Sequence, residues 1–269
     1  MRIALGVQYD GSAYHGWQRQ KDPDLLTLQA SIEQALSQVA NQPIEVTSAG
    51  RTDAGVHAVE QVLHFDTTAE RNEMSWVKGT NCNLPHEISV LWSKVIDDHF
   101  HARFSATARR YHYIIYNHQI RPTYARHYVT WQYRPLDADL MHQAAEYLLG
   151  EHDFSSFRSI ACQSKTPTRC IHEISVRREH DYLLLDIKAN AFLHHMVRNI
   201  AGALMEVGYA KHDPTWIKEL LESRDRTLGG ITAPSNGLYL VKIDYPKAYQ
   251  LPSHILHDNP RTIRSFIKQ

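Results

Sequence analysis

The sequence predicts an α+β fold of two ferredoxin-like halves with antiparallel sheets. Three observations carry this. Apolar residues alternate along some short segments, as in half-buried strands, and recur at helical spacing along others. The order strand, helix, strand, strand, helix, strand (βαββαβ) reads twice along the chain. The composition, 43% hydrophobic and 22% charged over 269 residues, is that of a folded chain long enough for one large or two small domains.

In the first half, Ile3, Leu5, Val7 and Tyr9 alternate over Arg2 to Tyr9, which predicts a strand ended by Asp10-Gly11-Ser12. Leu28, Ile32, Leu36 and Val39 then predict a helix with Thr27 as N-cap, stopped by Pro43. Ile44 to Thr47 and Gln61 to Phe65 read as strands on either side of a glycine-bearing turn. Met74 to Cys82 reads as a weaker helix ended before Pro85, and Ile88 to Val95 as a strand.

The second half repeats the order. Arg110 to Tyr116 is a strand, and Asp137 to Leu149 a helix closed by Gly150. Ile171 to Arg178 and Tyr182 to Ala189 form a hairpin around Glu179-His180-Asp181. Phe192, Met196, Ile200, Ala203 and Val207 mark a helix stopping at Gly208. Asp213 is placed to cap a helix from Pro214 to Glu222, and Leu238 to Tyr245 is the last strand. The expected division is 1–105, 106–246 and an extended, proline-punctuated tail, 247–269.

Charge separates the parts. The chain carries 29 Lys+Arg and 29 Asp+Glu, but residues 1–98 hold 7 basic against 13 acidic side chains, and 99–205 hold 13 against 9. From His99 to Leu136 there is no Asp or Glu. That stretch carries Arg103, Arg109, Arg110, Arg121, Arg126 and Arg134, interleaved with Tyr111, Tyr113, Tyr116, Tyr124, Tyr128, Trp131 and Tyr133. Arginine binds phosphate bidentately and aromatic rings stack on unpaired bases, so the stretch predicts an RNA surface.

Other classes are excluded. No apolar run approaches the roughly 18 residues of a membrane span. The N-terminus does not read as a signal peptide. Three cysteines without Cys-x-x-Cys give no disulfide framework, which points to a reducing cytosol. The 18 histidines lack metal-ligand spacing, so no metal is expected. Without a Gly-x-Gly-x-x-Gly or a phosphate-loop Lys, no nucleotide cofactor is expected either.

The chemistry concentrates at Gly50-Arg51-Thr52-Asp53-Ala54-Gly55-Val56-His57, between two predicted strands. The two glycines permit a tight turn. Arg51 and Asp53 point the same way if extended, and an Arg within about 4–6 Å holds a carboxylate ionised. Such an Asp serves as nucleophile or base. An Asp in a glycine-rich turn also commonly just satisfies backbone N–H groups.

These residues and five further blocks resemble the TruA family of tRNA pseudouridine synthases. The turn reads GRTDAGVHA over Gly50–Ala58. YDGSAYHGWQRQ starts at Tyr9, FHARFSATARRYHY at Phe100, GEHDFSSF at Gly150, ANAFLHHMVRNIAG at Ala189 and GLYL at Gly237. The resemblance implies isomerisation of uridines 38, 39 and 40 in the tRNA anticodon arm, a homodimer and a tRNA-binding cleft. It also implies two related halves with the active site in the cleft between them. Its single essential Asp falls on Asp53 and its uridine-contacting Tyr on Tyr111. Arg51 would help open the target base from the stem, and Arg198, opposite the apolar stripe of its helix, would face the site and pair with Asp53. The reaction is redox-neutral and needs no cofactor. A paired uridine is reached only by flipping it out, at a few kcal/mol. The residues leave open whether Asp53 attacks the sugar or takes a ribose proton.

Two other classes fit parts of the pattern. A non-catalytic RNA-binding module would use the same Arg-Tyr stretch. A hydrolase of glycosidic bonds would need a second carboxylate about 5–10 Å from the first, for which Glu60 is the nearest in sequence.

Overall fold

The computed structural model describes residues 1–22 and 24–252. The chain forms two compact units: residues 1–51, 58–107 and from 241 on make the first, and residues 52–57 and 108–240 the second. The fold is mixed α+β with antiparallel strand pairing predominant, as the sequence predicts.

In the first unit, β1 (Arg2–Tyr9) pairs antiparallel with β4 (Ile88–Ile96) and with β3 (His57–Asp66), and β3 carries the two-residue β2 (Thr47–Ser48). The order is thus β4-β1-β3-β2. Helices α1 (Leu28–Ala40) and α2 (Glu73–Asn83) complete it. Leu28, Ile32 and Leu36 are fully buried, as their spacing requires, and so are Ile3 and Leu5 of β1. The weakly amphipathic α2 is anchored by Trp76, which is completely buried against the Phe65 ring at 5.1 Å.

Two expectations change here. Of the expected strand Ile44 to Thr47 only Thr47 pairs, in β2; the backbone before it is used otherwise, with Ile44 N–H donating to the Ser37 hydroxyl at 2.9 Å and Val46 N–H to Glu33 Oε1 at 3.0 Å. Thr27 occupies the N-cap position but makes no side-chain cap bond.

The second unit holds β5 (Ala108–Asn117), β7 (Gly150–Asp153), β8 (Thr168–Glu179) and β9 (Tyr182–Ala189), in the antiparallel order β5-β9-β8-β7. Short β6 (Thr130–Gln132) runs parallel to the end of β5. The chain passes into the first unit within β10 (Leu238–Asp244), after Leu240. The helices are α3 (Ala138–Glu146), α4 (Met196–Gly208) and α5 (Trp216–Ser223). Asp137 caps α3, accepting from the N–H groups of Asp139 and Leu140. The Tyr182–Ala189 strand stands where the hairpin reading placed it.

Three boundaries move for local reasons. α3 stops at Glu146 because the next N–H groups bond three residues back, tightening the turn before Gly150 opens β7. α4 starts at Met196 rather than Phe192, since His195 takes a left-handed conformation with φ 62°. Asp213 contributes only its backbone carbonyl to the turn before α5. β6, β7 and the 3₁₀ turns had no sequence signal. Of the expected extended tail, Lys247–Tyr249 forms a 3₁₀ turn, and residues 253–269 lie outside the described residues. No helix among the described residues is long and apolar enough to cross a membrane.

Candidate active site

The turn Thr52–His57 belongs to the second unit, and that places Asp53 among side chains far away in sequence. Gly55 holds φ +77°, a conformation that favours glycine, and a Cβ there would meet the Ser235 hydroxyl at 2.7 Å. The sharp reversal at Gly55 therefore has both a backbone and a space requirement.

Arg198 Nη1 donates to Asp53 Oδ2 at 2.9 Å, across 145 residues. The guanidinium is fixed from its other side, with Nε donating to the Ala233 carbonyl at 2.8 Å. Ala233 N–H returns a bond to the Arg198 carbonyl at 3.1 Å. The loop bearing Ala233 lies directly on α4 at Gly202, where a Cβ would come within 2.0 Å of the Ile231 carbonyl oxygen. Asn199, next to Arg198, receives Arg226 Nη2 at 3.0 Å and the Thr232 hydroxyl at 2.7 Å, tying the same loop down. Arg198 is thus held before any ligand arrives.

Two histidines complete the cluster. His194 Nε2 lies 3.4 Å from Asp53 Oδ1, and His195 Nε2 lies 3.4 Å from Oδ2. Their rings are 3.9 Å apart between centroids. Burial lowers the His195 pKa; Asp53 opposes this, and His194, Arg198 and Arg226 add to it. His195 and Arg198 stand at the N-cap and in the first turn of a 13-residue helix, the end whose partial positive charge attracts an anion. His194 is braced from behind: its N–H donates to Cys162 Sγ at 3.4 Å and its carbonyl accepts from Ser159 N–H at 3.0 Å. The carboxylate and the two imidazoles have ligand atoms within 4.8 Å of one another, a donor set that zinc-class ions accept. Arg198 already places a cation on Oδ2.

Tyr111 of β5 belongs to the same unit. Its side chain is 8% exposed, with the Phe192 ring edge-on at 5.0 Å. Burial pushes its phenol up to about 12, with Arg109 opposing and Asp53 adding to the shift. The hydroxyl therefore stays protonated at neutral pH. Arg51 is exposed, belongs to the first unit, and makes no hydrogen bond or ion pair with the described residues. The guanidinium on Asp53 is that of Arg198, not of its sequence neighbour Arg51.

The expected Arg-Tyr surface divides. Tyr111 and Tyr113 are buried in β5, whereas Tyr124, Tyr128, Trp131 and Tyr133 are exposed. Arg110 is engaged by Asp186 and Glu173. Glu60, the candidate second carboxylate, is buried in the first unit and accepts the Trp92 indole N–H at 2.7 Å. Its role there is structural. Sequence reasoning missed His194 and His195. Their signal was adjacency: they directly precede α4 and stand four and three residues before Arg198.

A family model described as tRNA pseudouridine synthase matches residues 6–105 and 144–246. The tRNA pseudouridine synthase A of Shewanella loihica is 59% identical over 94% of this chain and 96% of its own length. That of Coxiella burnetii is 56% identical over 93% of this chain and 95% of its own. A solved structure titled "Crystal Structure of a Cbf5-Nop10-Gar1 Complex" aligns with 75% of this chain and 54% of its own at 13% identity and a TM-score of 0.32, too low to define a shared fold. The family match over most of the length, with relatives at this identity, settles the membership: the chain belongs to the tRNA pseudouridine synthase family, isomerases that act on tRNA.

Proposed function

We propose that this enzyme converts uridines 38, 39 and 40 of the tRNA anticodon arm to pseudouridine, with Asp53 as the essential carboxylate. The observation that carries the reading is Asp53 itself, a half-exposed carboxylate fixed by Arg198 at 2.9 Å and flanked by two imidazoles. In the reaction the N1–C1′ bond breaks, the uracil turns, and a C5–C1′ bond forms. C5 loses a proton and N1 gains one, so the change is redox-neutral.

The target uridine is flipped out of the stem, and Arg51, exposed on the first unit, takes its place against the stack and a phosphate. The Tyr111 ring meets the uracil and holds it while it turns. Its phenol is not the base at neutral pH, because burial keeps it protonated. Asp53 acts on the ribose, and Arg198 holds the carboxylate in place through its fixed guanidinium. The two halves read from the sequence, the homodimer and a cytoplasmic location belong to the same proposal. The free thiols Cys82, Cys162 and Cys170 suit a reducing compartment.

The test of the substrate positions is pseudouridine mapping at single-nucleotide resolution in unmodified tRNA transcripts with uridine at 38, 39 or 40. Conversion at those positions and nowhere else in the arm is expected. Conversion confined to other arms of the tRNA would overturn the assignment.

A further inference from the structure

The segment between β5 and α3 has a role that Asp53 chemistry leaves unexplained. It contains no carboxylate before Asp137, yet it exposes Arg121, Arg126 and Arg134. Arg126 Nη1 donates to the Thr123 carbonyl at 3.3 Å, and Arg134 Nε to the Tyr133 hydroxyl at 3.1 Å. Among the described residues, none of the three pairs with a carboxylate.

Arg121, Arg126, Val129, Trp131 and Asn236 line a cavity of about 510 Å³, within the range of small-molecule sites. The Trp131 ring is set, because its indole N–H donates to the His118 carbonyl at 2.8 Å, and it remains 40% exposed. Asn236 Nδ2 donates to the carbonyls of Arg126 and Val129 at 2.9 and 2.8 Å, which pins the loop. Its own side-chain oxygen accepts nothing from the described residues.

This cavity is built on the scaffold of the Asp53 turn. His57, the last residue of that turn, bonds through Nε2 to the His127 carbonyl at 2.9 Å. The His57 ring stacks on Tyr239 at 4.8 Å and lies 5.5 Å from Tyr128. Gly55 abuts Ser235, the neighbour of Asn236. The cavity and the carboxylate are thus two features of one small framework.

We propose that the cavity is a second nucleotide subsite, which takes one unpaired nucleotide of the tRNA while Asp53 acts on another. The base lies on Trp131, the phosphate sits between Arg121 and Arg126, and the Asn236 oxygen accepts from the base edge. This rests on the reading of the protein as a tRNA-modifying enzyme. Two arguments favour RNA over protein. Arginines without acidic partners attract a polyanion. A symmetric contact with a second copy would set this face against itself, and the segment has no carboxylate before Asp137 to offer its arginines. An unpaired nucleotide is favoured because only an unstacked base has a face to give to the indole.

The test measures affinity for an unmodified tRNA transcript and for an RNA duplex of equal length, with melting temperature as the control for folding. Arg121→Gln/Arg126→Gln is expected to weaken tRNA binding, with the loss in kcat/KM arising in KM. The slope of log affinity against log salt should fall by about 0.7, since the two arginines share one phosphate and each phosphate contact to a single strand contributes about 0.7. Trp131→Ala should weaken tRNA binding about tenfold, leave duplex binding as in the wild type, and be largely rescued by Trp131→Phe. Unchanged affinity and slope in the folded double variant would overturn the subsite. So would equal losses on tRNA and duplex with Trp131→Ala. A wild type that sediments as a dimer and a double variant that sediments as a monomer would make this face a protein interface instead. A wild type that binds tRNA here yet converts no uridine would overturn the functional reading and leave the subsite standing.

Discussion

Two carboxylates of the second unit, Asp186 and Asp53, each meet an arginine and histidine, and they are built for different ends. Asp186 sits on β9 directly opposite His112 of β5. Arg110 grips it bidentately, Nε to Oδ1 at 2.8 Å and Nη2 to Oδ2 at 2.7 Å, and His112 Nε2 adds a contact at 3.4 Å. Its side chain is 11% exposed. Asp53 instead sits on a turn, is 24% exposed, and receives a single guanidinium nitrogen on one oxygen. In the first case the fold satisfies both oxygens through strand register. In the second a distant arginine bonds one oxygen, two imidazoles flank the group at 3.4 Å, and the turn leaves it more open to solvent. A closed pair serves stability, whereas a half-open one remains available to substrate.

The comparison breaks most decisively at Asp53. Asp53→Asn should lower single-turnover pseudouridine formation by more than about 10³-fold, while its melting temperature stays close to that of the wild type. Asp186→Asn should do the reverse. Activity should hold within a few-fold, and unfolding by denaturant should show a loss of about 1–2 kcal/mol, because Arg110 loses its bidentate partner and keeps Glu173.

That loss should also depend on pH. Burial pushes the Asp186 carboxyl up, but hydrogen bonds from His112 and Arg110 outweigh it and hold the group well below the ordinary carboxylate range. A depressed carboxylate contributes fully above its unfolded value and loses the contribution as pH falls through the folded one. The gap between wild type and Asp186→Asn should therefore be widest near neutrality and shrink below about pH 4. A gap that is flat from neutral to acid would remove the charge from the explanation.

Smaller changes sharpen the contrast. Arg198→Gln should cost about 10–100-fold in kcat, since one charge-assisted bond to Asp53 is lost. Arg198→Lys should recover only part, because Lys cannot hold both Asp53 and the Ala233 carbonyl with one planar fork. Equal rates for the two variants would mean that position, not charge, is what Arg198 supplies. Tyr111→Phe should have the smallest effect, within about tenfold, since the ring remains. The basic limb of its pH–rate profile should match the wild type up to about pH 10, because the phenol titrates near 12. A limb that moves with the substitution would make Tyr111 a proton carrier.

Much of this was legible in the sequence. Period-2 alternation placed β1, and the Leu28–Ile32–Leu36 spacing placed α1, because burial there follows from local pattern. The glycine-flanked turn pointed to Asp53, and the polar side of α4 pointed to Arg198. Ile44–Val46 misled because the Ile44 and Val46 N–H groups bond to Ser37 and Glu33 side chains, which no strand pattern encodes. Arg51 was the nearer partner for Asp53 by sequence, and only the resemblance pointed to a pair with Arg198, which spans 145 residues and depends on the Ala233 loop packed over Gly202. Such long-range geometry leaves no trace in spacing. His194 and His195 lay within a block quoted for its resemblance, and were passed over among 18 scattered histidines.

The most direct test of the central claim sets the two carboxylates side by side. Wild type, Asp53→Asn and Asp186→Asn are incubated with the same unmodified tRNA, pseudouridine is mapped, and folding is checked by circular dichroism. The account predicts conversion by the wild type and by Asp186→Asn, and none by a folded Asp53→Asn. Conversion by Asp53→Asn, or its loss in a folded Asp186→Asn, would contradict it.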